Sequence, residues 1–478
     1  MRALRDRDST REFLASGAGK AGSLFFLVLV AVSIFVLATY PIDFGLRFWN
    51  NPAVWADNPK LAPPAWVNAL GSDSRAEHVV MELQRPSQVT EFGGSLSRSY
   101  AFRIDHQADE APSFTALTIS NVTYYDVPPV IHVSLARPDG RLLDLFTFTV
   151  PAPRPREELP VSRYFETPRR IFLSGEDQVV AATSDFLKGL GVKVPQDELV
   201  TRGVDRVLFG TPKADGGFDA LKGPYVFTIR ADLSHPLDSI DTVRLVVGGR
   251  VFGIMGTDSI GRDLAVGLLF GFPVALFIGL ATSILATAAG TILGIQSGYR
   301  GGKTDAVIQR GSDLLVNIPL LPILIFLTFI IGQKLYVVML ILVAFSWPGL
   351  AITVRSMVLQ MRSGQLVEAA VAMGAKPTRI MFKHIFPQTA PFIFAQLIFF
   401  TPSAILAEAS LSFLGLGDPS LPTWGQILEL GFRNGGVYVG YWWWVLPPGL
   451  LIVLTALTFA LLALGLEPVV NPRLRRMK

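Results

Sequence analysis

Hydrophobic residues are distributed very unevenly along the chain. Six apolar runs occupy residues 21–40, 267–295, 314–331, 336–354, 392–414 and 441–464. A membrane-spanning helix needs about 20 predominantly apolar residues, so each run is long enough for one span. Residues 41–255, between the first two runs, are much more polar. The pattern therefore predicts an all-α membrane core of six helices with one large soluble insertion.

The inserted region contains runs in which apolar and polar residues alternate or β-branched residues are frequent, as is typical of strands. Such runs lie at residues 99–104, 114–124, 130–136, 142–150, 225–229 and 242–252. A turn sequence at 137–140 separates two of them, and one helix is expected at 176–190 with Ser174 and Asp177 as its capping box. We expect a mostly β, sandwich-like domain. Whether it handles a ligand or is only a structural insertion stays open.

Composition supports a chain that is part membrane and part soluble. Half of the residues are hydrophobic and only 17% are charged, which is too apolar for one soluble fold and too charged for membrane throughout. The chain has no cysteine, so disulfides, thiolate nucleophiles and cysteine-bound metals are excluded. The histidines lack acidic partners at metal-site spacing, so no metal site is expected.

Charge predicts the topology. Basic residues concentrate at the start of the chain, in residues 355–390 and in the tail, whereas residues 41–256 hold 22 basic and 26 acidic residues. The positive-inside bias then places both termini and the 355–390 loop in the cytoplasm and the insertion outside. Basic residues that fix the orientation of membrane helices explain the basic pI better than nucleic-acid binding does. A cleaved signal peptide is the alternative interpretation of residues 21–40.

The predicted domains follow from these assignments. They are a cytoplasmic segment at 1–20, a first span at 21–40, an extracytoplasmic domain at 41–255, a five-span core at 256–470 and a cytoplasmic tail at 471–478.

The cytoplasmic loop has the local chemistry of two short helices. Residues 365–373 are good helix formers, Gly374 suits a left-handed stop, and Pro377 suits the first turn of a second helix. That second helix is expected to end by Pro387. The loop lies between two apolar runs and cannot itself span a bilayer.

The loop also carries a recognisable pattern. Glu368, Ala369 and Ala370, followed by Gly374 and, thirteen residues later, by Pro387, resemble the EAA loop of membrane subunits of ABC importers. In that family the loop docks into a cleft of the ATP-hydrolysing subunit. The resemblance implies that the site for ATPase coupling consists of Glu368, Ala369, Ala370, Gly374, Ala375 and Pro387.

Two further stretches resemble the dipeptide, oligopeptide and nickel branch of the same family. One is GTDSIGRD, in which the matching residues are Gly256, Thr257, Asp258, Gly261, Arg262 and Asp263. In the family it lies on the outer side, just ahead of the transport core. The other is EASLSFLGLG at residues 408–417. Together these motifs imply the second, C-type permease of such an importer, with a large extracytoplasmic insertion.

The resemblance implies a type I ABC importer fold and a transport function. The expected partners are a second permease in a heterodimer, two ATPase subunits, an extracytoplasmic substrate-binding protein and the lipid of a bacterial cytoplasmic (inner) membrane. This chain would be no enzyme and hold no cofactor, because ATP and Mg belong to the partner subunits. Peptides are the expected substrates; oligosaccharides and nickel chelates are the alternatives within the family.

Glu408 is an ionisable residue inside an apolar span, which is typical of functional positions in membrane helices. With Ser410 and Ser412 it is a candidate for the translocation path or a subunit interface. The simpler alternative is that the Glu408 side chain snorkels to the membrane surface. Arg262 is the candidate ion-pair partner of Glu408. Residues 441–444, Tyr-Trp-Trp-Trp, predict an interfacial aromatic belt.

Other functional classes have less support. Residues 297–304 nearly spell a phosphate loop, but Ser297 stands where the first glycine is required and a membrane helix precedes it. A secondary transporter driven by an ion gradient would show internal repeats and buried carboxylates, and no repeat is visible. A membrane-anchored sensor or enzyme would need a nucleophile–base constellation or a metal cluster, and the sequence has neither.

Overall fold

The structure is a computed structural model that describes residues 13, 16–41, 43–71, 74–92, 95–192, 194–213 and 217–470. Its contacts divide the chain into two compact units. The membrane unit comprises Met1–Asn51 and Ala265–Lys478, and the β unit comprises Pro52–Leu264. The basic residues at positions 2–11 and 473–478, which predict cytoplasmic ends, lie outside the described residues.

The β unit is built from antiparallel sheets. Its strands are β1 (Val79–Leu83), β2 (Gln88–Phe92), β3 (Ser95–His106), β4 (Phe114–Tyr124), β5 (Val130–Ala136), β6 (Leu142–Thr149), β7 (Val161–Arg163), β8 (Arg169–Phe172), β9 (Gly210–Pro212), β10 (Phe218–Ala220), β11 (Gly223–Leu233) and β12 (Ser239–Gly248). One five-stranded sheet has the order β1-β12-β4-β7, with β8 also paired to β4, and the other has the order β2-β3-β11-β5-β6. Strands β9 and β10 form a separate pair.

The two large sheets share one hydrophobic core. Along β5 the residues alternate between buried and partly exposed, so that Ile131, Val133 and Leu135 point into the core. Leu117 of β4 and Val243 of β12 enter the same core from the other sheet. The sandwich predicted from the period-two pattern is therefore present.

The helix predicted at 176–190 is α2 (Asp177–Gly189), but its predicted capping box is wrong. A 3-10 turn, Leu173–Gly175, precedes the helix, and Glu176 takes the cap position without a side-chain hydrogen bond. Ser174 instead accepts a hydrogen bond from the Thr115 backbone N–H at 2.7 Å, which ties the turn to β4. Two short helices, α3 (Gln196–Arg202) and α4 (Val204–Leu208), follow.

The membrane unit is mainly helical. Its α-helices among the described residues are α1 (Gly17–Thr39), α5 (Leu264–Arg300), α6 (Gly302–Asn317), α7 (Leu320–Ile331), α8 (Leu335–Arg362), α9 (Gln365–Ala372), α10 (Pro377–Ile380), α11 (Phe386–Phe413), α12 (Trp424–Arg433), α13 (Gly436–Val439) and α14 (Trp442–Val470). Within the described residues, five helical segments are long and apolar enough to cross a membrane, and α6 with α7 makes a sixth if the bent pair is one span.

The third predicted span, 314–331, is not a continuous helix. Helices α6 and α7 meet at an angle of 89°. Ile318 is extended at the break, as expected for a residue that precedes a proline, and Pro319 caps α7. With 12 residues, α7 is only about 18 Å long, which is shorter than the hydrocarbon core of about 30 Å. The sequence predicts one helix over 314–331, and the structure instead has two helices with a break at 318–319.

Glycines let the first and last membrane helices approach closely. A Cβ atom on Gly22 of α1 would lie 2.8 Å from the Leu462 backbone nitrogen of α14, and one on Gly465 would lie 2.7 Å from the Gly19 Cα atom. Small residues at such crossings allow van der Waals contact between helix backbones. Helix α1 therefore packs into the membrane unit as one of its structural helices.

Candidate functional site

The loop at residues 365–387 starts with helix α9, directly after the long helix α8. Its C-terminal end is a Schellman motif: Ala375 N–H donates to the Ala370 carbonyl at 3.0 Å, and Gly374 N–H donates to the Val371 carbonyl at 2.9 Å. Gly374 has a φ of +76°, so it has the left-handed conformation that the sequence predicts. No atom lies within 4 Å of the position that a Cβ would take there. Backbone conformation alone, and not space, makes this position favour glycine.

The second half of the loop differs from the prediction. Helix α10 starts at Pro377, as expected, but it passes through a π turn, Met381–Ile385, into α11. Pro387 lies in the first turn of α11, so the expectation that the second helix ends by Pro387 is wrong. The loop thus continues directly into a membrane helix.

One face of the loop is buried against three membrane helices. Ala370 of α9 and Ile385 of the π turn are 2% and 0% exposed. They belong to a hydrophobic cluster that also contains Ile295 of α5, Val354 of α8 and Ile393 of α11. The sequence resemblance assigns both alanines of the motif to the coupling site, but the structure separates them: Ala369 is exposed, whereas Ala370 faces the membrane unit.

The opposite face of the loop exposes large apolar side chains. Leu366, Val371 and Met373 are 54%, 56% and 80% exposed. Glu368 is exposed beside them and lines a cavity of about 740 Å³, whose other lining residues include Arg300, Arg362 and Pro377. Apolar side chains ringed by charged ones are typical of a protein–protein contact surface.

The GTDSIGRD motif forms a closed turn within the β unit. Asp258 is fully buried, and its carboxylate accepts hydrogen bonds from the backbone N–H groups of Ile260 and Arg262 at 3.0 and 2.9 Å and from Arg262 Nε at 2.5 Å. Thr257 Oγ1 accepts a hydrogen bond from the Ala62 N–H at 3.0 Å. The motif therefore fixes the chain segment around residue 62.

The glycines and the last aspartate of the motif complete this turn. Gly256 and Gly261 have φ values of +72° and +90°, and Asp263 forms an antiparallel bridge with Thr257. A Cβ on Gly261 would lie 3.0 Å from the Trp55 carbonyl oxygen, so the backbone approaches closely here. Both glycines have conformations that other residues adopt only with strain.

Glu408 is buried inside α11, with 6% exposure. Ser412 Oγ donates to its carboxylate at 2.6 Å, and Thr423 Oγ1 lies 3.3 Å from Ser412 Oγ. The snorkelling interpretation is wrong, because the side chain is buried among neighbouring polar groups. Ser410 is exposed and bonds the Leu406 carbonyl of its own helix.

Arg262 and Glu408, which the sequence suggests as an ion pair, each form bonds within their own unit. Arg262 pairs with Asp258 in the β unit, and Glu408 is hydrogen-bonded to Ser412 in the membrane unit. The predicted aromatic belt is also partly wrong. Trp443 and Trp444 are 6% and 1% exposed, so they are core residues of the membrane unit.

Among the described residues, no three His, Asp or Glu side chains gather as ligands for a metal ion. The sequence at 297–304, which nearly spells a phosphate loop, comprises the last residues of α5, Gly301 and the first residues of α6.

Comparison with known proteins gives the family. Residues 290–476 match the family described as binding-protein-dependent transport system inner membrane component. The dipeptide transport system permease protein DppC of Bacillus subtilis (strain 168) is 35% identical over 222 residues, which cover 46% of this chain and 69% of that protein. The oligopeptide permease protein OppC of the same strain is also 35% identical over 222 residues, covering 46% and 72%. Inward-facing structures of the MetNI methionine ABC transporter share 22% identity with a TM-score of 0.31, covering 41% of this chain and 92% of that chain.

The chain belongs to the family of binding-protein-dependent ABC transport permeases. Its relatives within that family are dipeptide and oligopeptide permease C subunits. The predicted architecture is confirmed in its main parts: a multi-pass, all-α core that matches this permease family and a β-rich region of antiparallel sheets.

Proposed function

We propose that this chain is the permease subunit of an ATP-driven peptide importer and forms the translocation path together with a second permease. The relatives support this substrate class, because the proteins that are 35% identical to this chain are named for dipeptide and oligopeptide transport. Two ATPase subunits would supply the energy, and an extracytoplasmic binding protein would deliver the peptide. ATP and Mg would bind to the ATPase subunits.

One observation carries the coupling proposal: the loop at 365–387 has one face in the hydrophobic cluster of α5, α8 and α11 and another face with exposed apolar side chains. A partner bound to the exposed face can displace the three membrane helices through the buried face, since packed interiors transmit displacement. ATP binding would close the ATPase dimer, move the loop and switch the path between outward-open and inward-open states.

Each predicted loop residue has a distinct part in this proposal. Glu368 and Ala369 are exposed and would contact the ATPase subunit, with Glu368 beside the cavity that Arg300 and Arg362 line. Ala370 holds α9 to the membrane helices, and Gly374 sets the angle between the two short helices. Ala375 closes the Schellman motif, and Pro387 starts α11.

We infer the topology from the distribution of basic residues, with the termini and the loop in the cytoplasm and the β unit outside a bacterial inner membrane. The β unit would then be available to the binding protein or to arriving peptide. Glu408 and Ser412, a buried polar pair in a membrane helix, are proposed to face the path or the second permease.

Co-purification tests the proposed function. The tagged chain, solubilised gently, should elute with a second permease and with ATPase subunits, and the eluate should hydrolyse ATP. Glu368→Lys should keep the second permease and lose most of the ATPase, because it reverses a charge on the exposed face of α9. Glu91→Lys, at an exposed glutamate of β2, is the matched control. It should change neither the amount of second permease nor the amount of ATPase that elutes. Elution of the chain without any ATPase would contradict the proposal.

A further inference from the structure

A polar cluster joins three helices where α5 turns into α6. Arg355 of α8 binds Asp305 of α6 with both arms of its guanidinium: Nε lies 2.5 Å from Oδ1, and Nη2 lies 2.6 Å from Oδ2. The hydroxyl of Ser297, in α5, donates to the same Oδ1 and accepts from Gln309 Nε2 at 3.0 Å. Bidentate, charge-assisted bonds of this kind fix geometry as well as adding stability. We call these four residues the polar clamp.

The glycine-rich turn places Asp305 in the clamp. Gly301 and Gly302 have φ values of +68° and +57°, so the chain reverses its direction without a clash. Gly301 N–H still donates to the Ser297 carbonyl at 3.1 Å, as at the end of a helix. The turn therefore returns α6 alongside the end of α5, and the first turn of α6 meets α8.

Helices α5 and α8 form one block beside the clamp. Three glycines of α5, spaced four residues apart, face the backbone of α8. Cβ atoms at Gly290, Gly294 and Gly298 would lie 2.8, 2.7 and 2.8 Å from the carbonyl oxygens of Trp347, Ala351 and Arg355. No larger side chain fits between the backbones at these positions, so the two helices cannot separate here without losing close packing.

The broken span α6–α7 contacts α8 on both sides of a proline. Near the start of α8, Leu324 of α7 shares a hydrophobic cluster with Val338 and Leu342. Near its end, Asp305 of α6 binds Arg355. Pro348 lies between these contacts and is buried within the helix. A proline inside a helix removes one backbone hydrogen bond, so it marks the point at which the two halves of α8 can bend.

We propose that Asp305 and Arg355 are positioning residues. They tie the C-terminal half of α8, which leads into the loop at 365–387, to the broken span α6–α7. This inference rests on the proposed function, because it assumes that an ATPase displaces the loop. When α9 moves, the clamp makes α6, and with it α7, move too. Without the clamp, α8 would bend at Pro348 and the displacement would stay near the loop. The residues meet neither substrate nor nucleotide and act through the helices they join.

Spin labels can test the proposal in the assembled complex, because the chain has no cysteine of its own. We would label Met373→Cys in the loop and Phe329→Cys in α7, which are both 80% exposed, and measure their distance distribution with and without trapped ATP and vanadate. With the clamp intact, the distance should stay nearly constant, since loop and α7 move together. With Arg355→Gln, trapping should shift the mean distance between the two labels. The shift should be at least about twice the width of the distance distribution measured with the clamp intact.

Two further variants separate the ion pair from a general packing role. Exchanging the partners, Asp305→Arg with Arg355→Asp, should restore the constant distance, and Arg310→Gln, an exposed cation on α6, should leave it constant. A constant distance in Arg355→Gln, or a failure of the exchanged pair to restore it in a correctly assembled complex, overturns the proposal. If trapping moves neither label relative to a third label at exposed Tyr438→Cys, the loop is not driven by ATP and the proposed function itself fails.

Discussion

Gly374→Val should reduce ATP-driven transport by about tenfold or more while the protein stays in the membrane and keeps its second permease. The φ of +76° at this position is strained for any residue with a Cβ, at a cost of roughly 1–2 kcal/mol, and a β-branched side chain is among the least tolerant. The Schellman motif that ends α9 depends on this conformation. Losing it changes the angle between α9 and α10, and with it the exposed face.

The measurement is stimulated ATP hydrolysis and substrate uptake by the purified complex in proteoliposomes. Gly374→Asn is the matched control, because asparagine enters the left-handed region far more readily than valine does. A Cβ meets no atom within 4 Å at this position, so any difference between the two variants reports backbone conformation and not a clash. Equal transport by the valine and asparagine variants would show that the left-handed stop is unimportant for coupling.

Asp258→Ala should destabilise the β unit by about 3–5 kcal/mol, the range found when one partner of a buried ion pair is removed. The carboxylate is fully buried and accepts hydrogen bonds from two backbone N–H groups and from Arg262. Its removal deprives the whole turn of its central acceptor. Amide hydrogen exchange of the full chain would measure the loosening of the turn at Leu61 and Ala62, whose N–H groups donate to the Asp258 backbone carbonyl and to Thr257 Oγ1.

Two variants make this second result specific. Asp258→Asn keeps an acceptor for the backbone N–H groups but loses the charge, so its exchange rates should lie between those of the wild type and the alanine variant. Asp185→Ala removes a surface partner of Lys188, whose ion pair is well exposed, and should leave the rates unchanged. Wild-type exchange at Leu61 and Ala62 in Asp258→Ala would mean that the motif does not hold this segment.

Local chemistry made much of the fold predictable from the sequence. Strands β4 and β5 have the predicted bounds because alternation along one strand follows directly from which face is buried. The left-handed Gly374 and the start of α10 at Pro377 follow from residues with narrow backbone preferences. Short strands such as β7 and β8 were not predicted, since three or four residues are too few to show a period.

Long-range contacts explain the errors. Ala370 looks like Ala369 in the sequence, and only the cluster with α5, α8 and α11 decides that one is buried and the other exposed. Trp444 looked like a belt residue, but its ring lies against Gly431 of α12. Asp305 and Arg355 are fifty residues apart, and no local pattern indicates that they meet.

The central claim is that the loop at 365–387 touches an ATPase subunit, and site-directed crosslinking tests it most directly. The cysteine-free chain would carry a photoactivatable label at Met373→Cys or, as the control, at Tyr438→Cys, which are 80% and 85% exposed. Irradiation of native membranes should join the Met373 label, and not the Tyr438 label, to a protein with a nucleotide-binding phosphate loop. If both positions carry the label equally well and no ATPase is joined to the label at position 373, the claim that the loop touches an ATPase subunit is contradicted.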